Sequence, residues 1–225
     1  MQPRPLTRPR KQRRSHRKFR LFSLALIIFA ALYGAIALAM PIAELQPSVA
    51  NDKLRITTQT SNLPWPSYGQ AAFGLADGTV IASHGEQKQV SIASVVKTVT
   101  ALVVLEKQPL ALGASGPTYT ITDEDVAIYN RYIAINGSVM PVRSGQKLTQ
   151  HDMLEALMLP SANNIADTLA ISYFGSIDAY LKYTNEFLQR KGLTNTRVGG
   201  DASGYREDSV STATDLVKLG ALAMN

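Results

Sequence analysis

Apolar residues fall along this chain in three successive rhythms, and each rhythm predicts a different kind of element. Residues 21–40 are uncharged and almost unbroken in their hydrophobicity. Twenty residues of helix rise about 30 Å, the thickness of a bilayer's hydrocarbon core, so this run predicts a transmembrane helix. Ala37-Leu38-Ala39 also offers the small residues of a signal-cleavage site, although a cleaved signal has a shorter apolar region of about 7–15 residues. Residues 41–68 carry Pro41, Pro47, Pro64 and Pro66 among polar neighbours and read as a linker.

From residue 69 the apolar runs shorten. Ala71-Ala72-Phe73-Gly74-Leu75-Ala76 and Thr79-Val80-Ile81-Ala82 flank Asp77-Gly78, which predicts strand, tight turn, strand. The rhythm then becomes helical. Over residues 92–107, Val95, Val99, Leu102, Val103 and Leu105 form one broad face. Residues 113–117 break the chain. Thr122 with Asp125, and Thr149 with Asp152, have the spacing of capping boxes at helix starts. Residues 136–145 read as loop. Pro160 interrupts the helix that Thr149 begins. Helices follow over residues 164–173 and 178–191, the second closed by Gly192. Thr212 with Asp215 starts a last helix that is still running at Asn225.

Charge divides the chain at the apolar run. The first 20 residues hold nine Lys/Arg and no acid, leaving 14 basic and 17 acidic residues elsewhere. The basic character therefore belongs to a tail, and a nucleic-acid-binding domain is not indicated. A basic flank stays in the cytoplasm, which predicts an extracytoplasmic location for everything after residue 40. The absence of cysteine removes thiol nucleophiles, thiolate metal sites and disulfides. Residues 69–225 must then be held by their own core, and are numerous enough to form one domain.

Three Ser-x-x-Lys patterns occur, at Ser15-Lys18, Ser94-Lys97 and Ser144-Lys147. The first lies in the basic tail and the third runs through Gly145 in a loop. Ser94 and Lys97 open a helical pattern, where side chains three apart share a face and an amine can reach a hydroxyl. The free N–H groups of a first helical turn could also stabilise an oxyanion. The same residues equally suit a helix cap followed by a solvated lysine. Ser161-Ala162-Asn163 follows Leu159-Pro160 at a break between helices, where it could aim a hydroxyl and an amide into a cleft, or cap the next helix. His16, His84 and His151 are poorly placed for a Ser-His-Asp triad, and no metal-binding cluster or cofactor motif is evident.

Taken in order, these motifs resemble the serine D-alanyl-D-alanine carboxypeptidase family of low-molecular-mass penicillin-binding proteins. The similarity runs from about Tyr68 onward. It includes Ser94-Val95-Val96-Lys97, residues 145–166, Thr184-Asn185, Lys191-Gly192-Leu193, Asp201-Ala202-Ser203-Gly204 and residues 211–215. The resemblance implies an α/β (α+β) serine β-lactamase-like fold, a helical region packed on an antiparallel sheet. It implies Ser94 as acylated nucleophile, Lys97 as general base, Ser161 as proton shuttle and Asn163 as a ligand for the substrate backbone, with no metal or cofactor. Peptidoglycan stem peptides would be substrates and β-lactams inhibitors. Asn164 stands where the family usually has Asp, and the family's Lys-Thr-Gly does not occur. The expectation is a domain incomplete at its C-terminus, lacking its last strands. A β-lactamase and a non-catalytic cell-wall-binding protein are the rival readings; Glu-x-x-Leu-Asn, the mark of class A β-lactamases, is absent.

Overall fold

The computed structural model describes residues 12–39 and 63–224 of the chain. It divides into two units, residues 1–56 and 57–225. In the first, helix α1 (Gln12–Ala39) runs for 28 residues and begins within the basic tail. Its side chains are described over residues 20–35, where Leu21, Phe22, Leu24, Leu26, Ile27 and Phe29 are all exposed. No helix among the described residues is long and apolar enough to cross a membrane; Met40 lies outside them.

The second unit starts as a hairpin. Strands β1 (Ala71–Gly74) and β2 (Val80–His84) pair antiparallel, with a register shift between Phe73 and Gly74. The Asp77 carboxylate accepts the Thr79 N–H at 2.8 Å, and Gly78 takes φ +88°, which closes the turn as the Asp-Gly pair predicts. Trp65, within the stretch read as linker, stacks on His84 at 5.5 Å.

The hairpin forms as read, and the sequence reading missed two further short pairs. Among the described residues there are three separate two-stranded pairs. Besides the hairpin, β3 (Val90–Ser91) pairs with β6 (Val210–Ser211), and β4 (Thr118–Thr120) with β5 (Lys147–Thr149). These pieces are too short to show as alternating patterns, and each partner is remote in sequence.

The helices are α2 (Val96–Lys107), α3 (Asp123–Ala134), α4 (Gln150–Met158), α5 (Asn163–Phe174), α6 (Ile177–Arg190) and α7 (Ala213–Met224). Both capping boxes form as read, at Thr122/Asp125 and Thr149/Asp152. Helix α5 runs through the middle of the core. Its Ile165, Ala166, Leu169 and Ala170 are fully buried with Val96, Val99 and Val103 of α2, Leu157 of α4 and Leu188 of α6. Helix α7 packs on the hairpin.

Helix α2 corrects the sequence reading. It begins at Val96, not Ile92, because residues 93–95 form a 3-10 turn. The buried face rotates accordingly. Val96, Lys97, Val99, Thr100, Val103 and Val104 are buried, whereas Val95 is exposed and Leu102 and Leu105 are half-buried.

Candidate active site

Ser94 occupies the 3-10 turn Ala93–Val95, between β3 and α2. The turn is held from the far end of the chain. Gly204 has φ +73°, and a Cβ there would overlap the Ala93 carbonyl. Ala93 itself takes φ +45°, a left-handed conformation unusual for alanine. Ser94 is exposed and does not cap α2; the cap position is Val95, with no side-chain bond. The Val95 N–H is used by the Ile92 carbonyl at 3.0 Å, and the Val96 N–H by Ala93. These two amides are therefore not free for an oxyanion, contrary to the expectation for a helical first turn. The turn's own bonds leave the Ser94 N–H unused.

Lys97 is not a solvated surface residue. It is 2% exposed, and its Nζ lies 3.0 Å from Ser94 Oγ and 3.0 Å from the Ser203 carbonyl. Burial pulls its pKa down to about 8, while the negative charges of Asp201 and Asp167 oppose the shift. A neutral amine here can donate one N–H to Ser203 and direct its lone pair at the Ser94 hydroxyl. The result is an exposed hydroxyl beside a buried amine whose pKa is lowered toward neutrality, an arrangement that could serve a nucleophile and its base.

The Ser203 carbonyl is aimed by its own turn. Asp201 Oδ1 accepts the N–H groups of Ser203 and Gly204, both at 2.7 Å. Thr100, one turn along α2 from Val96, donates its hydroxyl to the Ala202 carbonyl at 2.7 Å. The stretch 201–204 is thus fastened to the helix that carries Lys97.

Ser161 and Asn163 flank the break between α4 and α5. Ser161 takes φ +57° and is half-buried. Neither residue caps α5, whose cap position is Ala162 with no side-chain bond. The Asn163 N–H is given to the Ser138 carbonyl at 2.8 Å. Its Nδ2 lies close beside Gly137, which also packs against the Tyr132 ring. Tyr132 in turn reaches Ser203 Oγ at 3.4 Å. The Asn163 and Lys97 regions therefore meet across Tyr132 and Ser203. No hydrogen bond among the described residues joins Ser161 to Ser94 or Lys97. Asn164 forms a closed amide pair with the Met140 backbone, accepting its N–H and donating to its carbonyl, both at 3.0 Å.

A family model described as D-alanyl-D-alanine carboxypeptidase matches residues 71–225. The chain belongs to this family. Among relatives of this D-alanyl-D-alanine carboxypeptidase family member, the D-alanyl-D-alanine endopeptidase of Pseudomonas aeruginosa is 32% identical over 178 residues, covering 74% of the chain and 54% of that protein. The endopeptidase of the same name in Escherichia coli is 30% identical over 207 residues, covering 90% and 58%. The chain thus spans about half the length of the curated relatives it matches. Among solved structures, the Streptomyces K15 DD-transpeptidase superposes with TM-score 0.60 at 28% identity, over 69% of this chain and 60% of that one. A D-alanyl-D-alanine carboxypeptidase of Mycobacterium tuberculosis gives 0.60 at 25%, over 73% and 60%. The α/β fold of this family member is that of the penicillin-binding DD-peptidases.

Other candidate chemistry in this family member lies elsewhere. His151, Asp152 and Glu155 offer ligand atoms within 4.8 Å of one another, but all three are exposed and Asp152 is committed to the Thr149 capping box. A concavity of about 980 Å³ between α6 and residues 194–200 does not include Ser94. Sequence reading missed Thr100, Tyr132 and Asp167, and took Ser203 only as part of the 201–204 match, with no role of its own. A visible signal existed for Asp167, a lone carboxylate within the apolar pattern of α5.

Proposed function

We propose that the chain is the catalytic portion of a membrane-anchored serine D-Ala-D-Ala carboxypeptidase acting on peptidoglycan stem peptides. The observation that carries this reading is the Lys97 amine, buried 3.0 Å from an exposed Ser94 hydroxyl. Ser94 Oγ attacks the carbonyl of the penultimate D-Ala while its proton passes to Lys97. The Ser94 N–H, unused by its turn, is available to the oxyanion. On collapse the C–N bond breaks and the departing D-Ala amine takes a proton by way of Ser161, while Asn163 holds the substrate backbone. Water then attacks the ester, and Ser94 recovers its proton as the acid leaves. β-Lactams acylate Ser94 as substrate mimics.

The anchor is α1. A helix uncharged and apolar but for Ser23 over residues 21–29 suits lipid contact, and nine positive charges ahead of it favour a cytoplasmic N-terminus. A second reading, cleavage of peptide cross-links as an endopeptidase, is favoured by the names of the two endopeptidases described above.

The test uses the purified protein with fluorescent penicillin, a synthetic peptide ending in D-Ala-D-Ala, and a cross-linked dimeric stem peptide. Covalent label and free D-Ala are expected, and both are lost in Ser94→Ala but kept in Ser144→Ala. Cleavage of the cross-linked peptide without release of D-Ala selects the endopeptidase. A folded Ser94→Ala protein that still labels fully would sink the assignment.

A further inference from the structure

Helix α5 carries a carboxylate in its buried middle, Asp167, only 2% exposed, that the reaction steps above do not use. An ionised carboxylate among Ile165, Ala166 and Leu169 is costly unless donors surround it. Three do. Oδ1 accepts the Ala202 N–H at 3.1 Å, and Oδ2 accepts the Tyr132 hydroxyl and the Arg131 guanidinium, both at 2.9 Å.

These bonds converge on the residue that holds the base. Asp167 fixes the amide of Ala202 and Thr100 fixes its carbonyl. The following carbonyl, that of Ser203, receives Lys97 Nζ at 3.0 Å. The Tyr132 hydroxyl, bound to Asp167, also approaches Ser203 Oγ. We propose that Asp167 is a positioning residue for Lys97: it fixes the backbone that grips the amine and sets a negative charge behind it. The inference rests on the reading of Lys97 as general base.

Both effects have a use. A base that must accept a proton and return it works best with a pKa near the working pH. Burial alone drives a lysine toward a permanently neutral amine, and nearby carboxylates pull it back. The groups facing this pair are Asp201 from the turn, Arg131 and Tyr132 from α3, and Tyr180 from α6. Asp167's own pKa is raised, chiefly by burial, and the bonds from Ala202 and Tyr132 restrain the rise.

The experiment titrates Lys97 directly by 15N NMR of the full chain labelled at lysine Nζ, its signal assigned by its loss in Lys97→Arg. Asp167→Asn keeps an acceptor for the Ala202 N–H and removes the charge. Its Lys97 midpoint is expected to fall by about half a unit to one unit. Asp167→Ala should in addition lose the exchange protection of the Ala202 amide. An unchanged midpoint in a folded Asp167→Asn protein overturns the proposal. Should that variant not fold, the wild type decides: Lys97 Nζ should show a second, smaller inflection where the Asp167 carboxyl titrates, and a single inflection overturns it. A wild-type midpoint at the ordinary lysine value refutes the general base instead, while a difference between wild type and Asp167→Asn still establishes the coupling.

Discussion

Lys97→Arg separates the hydrogen bond that Lys97 makes from the base role proposed for it. Arginine keeps a long cationic side chain that can donate to the Ser203 carbonyl, but it does not lose its proton. The native amine does. With its pKa brought from 10.5 to about 8, roughly one amine in ten is neutral at pH 7. At the ordinary value the fraction is about one in three thousand, so burial enriches the competent base about 300-fold. General-base assistance contributes a further ~10²–10⁴ in rate. Acylation of Ser94 by a fluorescent penicillin should therefore climb about tenfold per pH unit below 8 and level off above it. Lys97→Arg should acylate at least about 100-fold more slowly and lose that limb. Rates would be followed by gel fluorescence or intact mass between about pH 6 and pH 10, with a thermal melt of each sample to exclude unfolding. Near-native acylation by folded Lys97→Arg refutes the reasoning. So does a wild-type limb centred near 10.5, because burial would then have done nothing for the base.

Two further outcomes rest on packing and a third on charge. Gly204→Ala places a methyl group on the Ala93 carbonyl and forces a side chain into φ +73°, so urea unfolding should report a loss of about 1–3 kcal/mol, with slower acylation. Asn164→Asp restores the family's usual residue but turns an amide donor into an oxygen facing the Met140 carbonyl, so the melt should fall, by more at neutral pH than under acid conditions where the carboxyl is protonated; equal melts at both would contradict this. A cysteine introduced at Ser48 should react with a membrane-impermeant thiol reagent on intact cells or spheroplasts; labelling confined to lysed cells would show that the inferred orientation is wrong.

Local chemistry is what the sequence made legible. The hairpin's turn and both capping boxes rest on residues within four positions of each other, so they could be read one segment at a time. The start of α2 could not. Ile92 and Val95 look helical, but Gly204 lies against Ala93 from 111 positions downstream, and that contact is part of what makes residues 93–95 a 3-10 turn. The same distance hid the state of Lys97. Its apolar neighbours permitted burial, but the buried acceptor that makes burial tolerable comes from the distant 201–204 turn. Ser94, Lys97, Ser161 and Asn163 were singled out through spacing and resemblance, and Ser203 only as part of the 201–204 match, whereas Thr100 and Tyr132 carry side chains too ordinary to attract notice. Asp167 was the exception, since a carboxylate in an apolar helix asks for a partner.

Two serines of the candidate site adjoin left-handed backbone that their chain neighbours would not choose. Ala93, next to Ser94, has φ +45°, and Ser161 itself has φ +57°. A residue with a Cβ in that region costs about 1–2 kcal/mol relative to glycine. A selection for thermal or protease resistance alone would therefore find an easy gain in glycine at position 161, and would remove the hydroxyl in the same step. Laboratory evolution of this chain without an activity screen should drift toward robust variants that lose the Ser161 hydroxyl, while glycine at Ala93 would relieve strain and leave Ser94 in place.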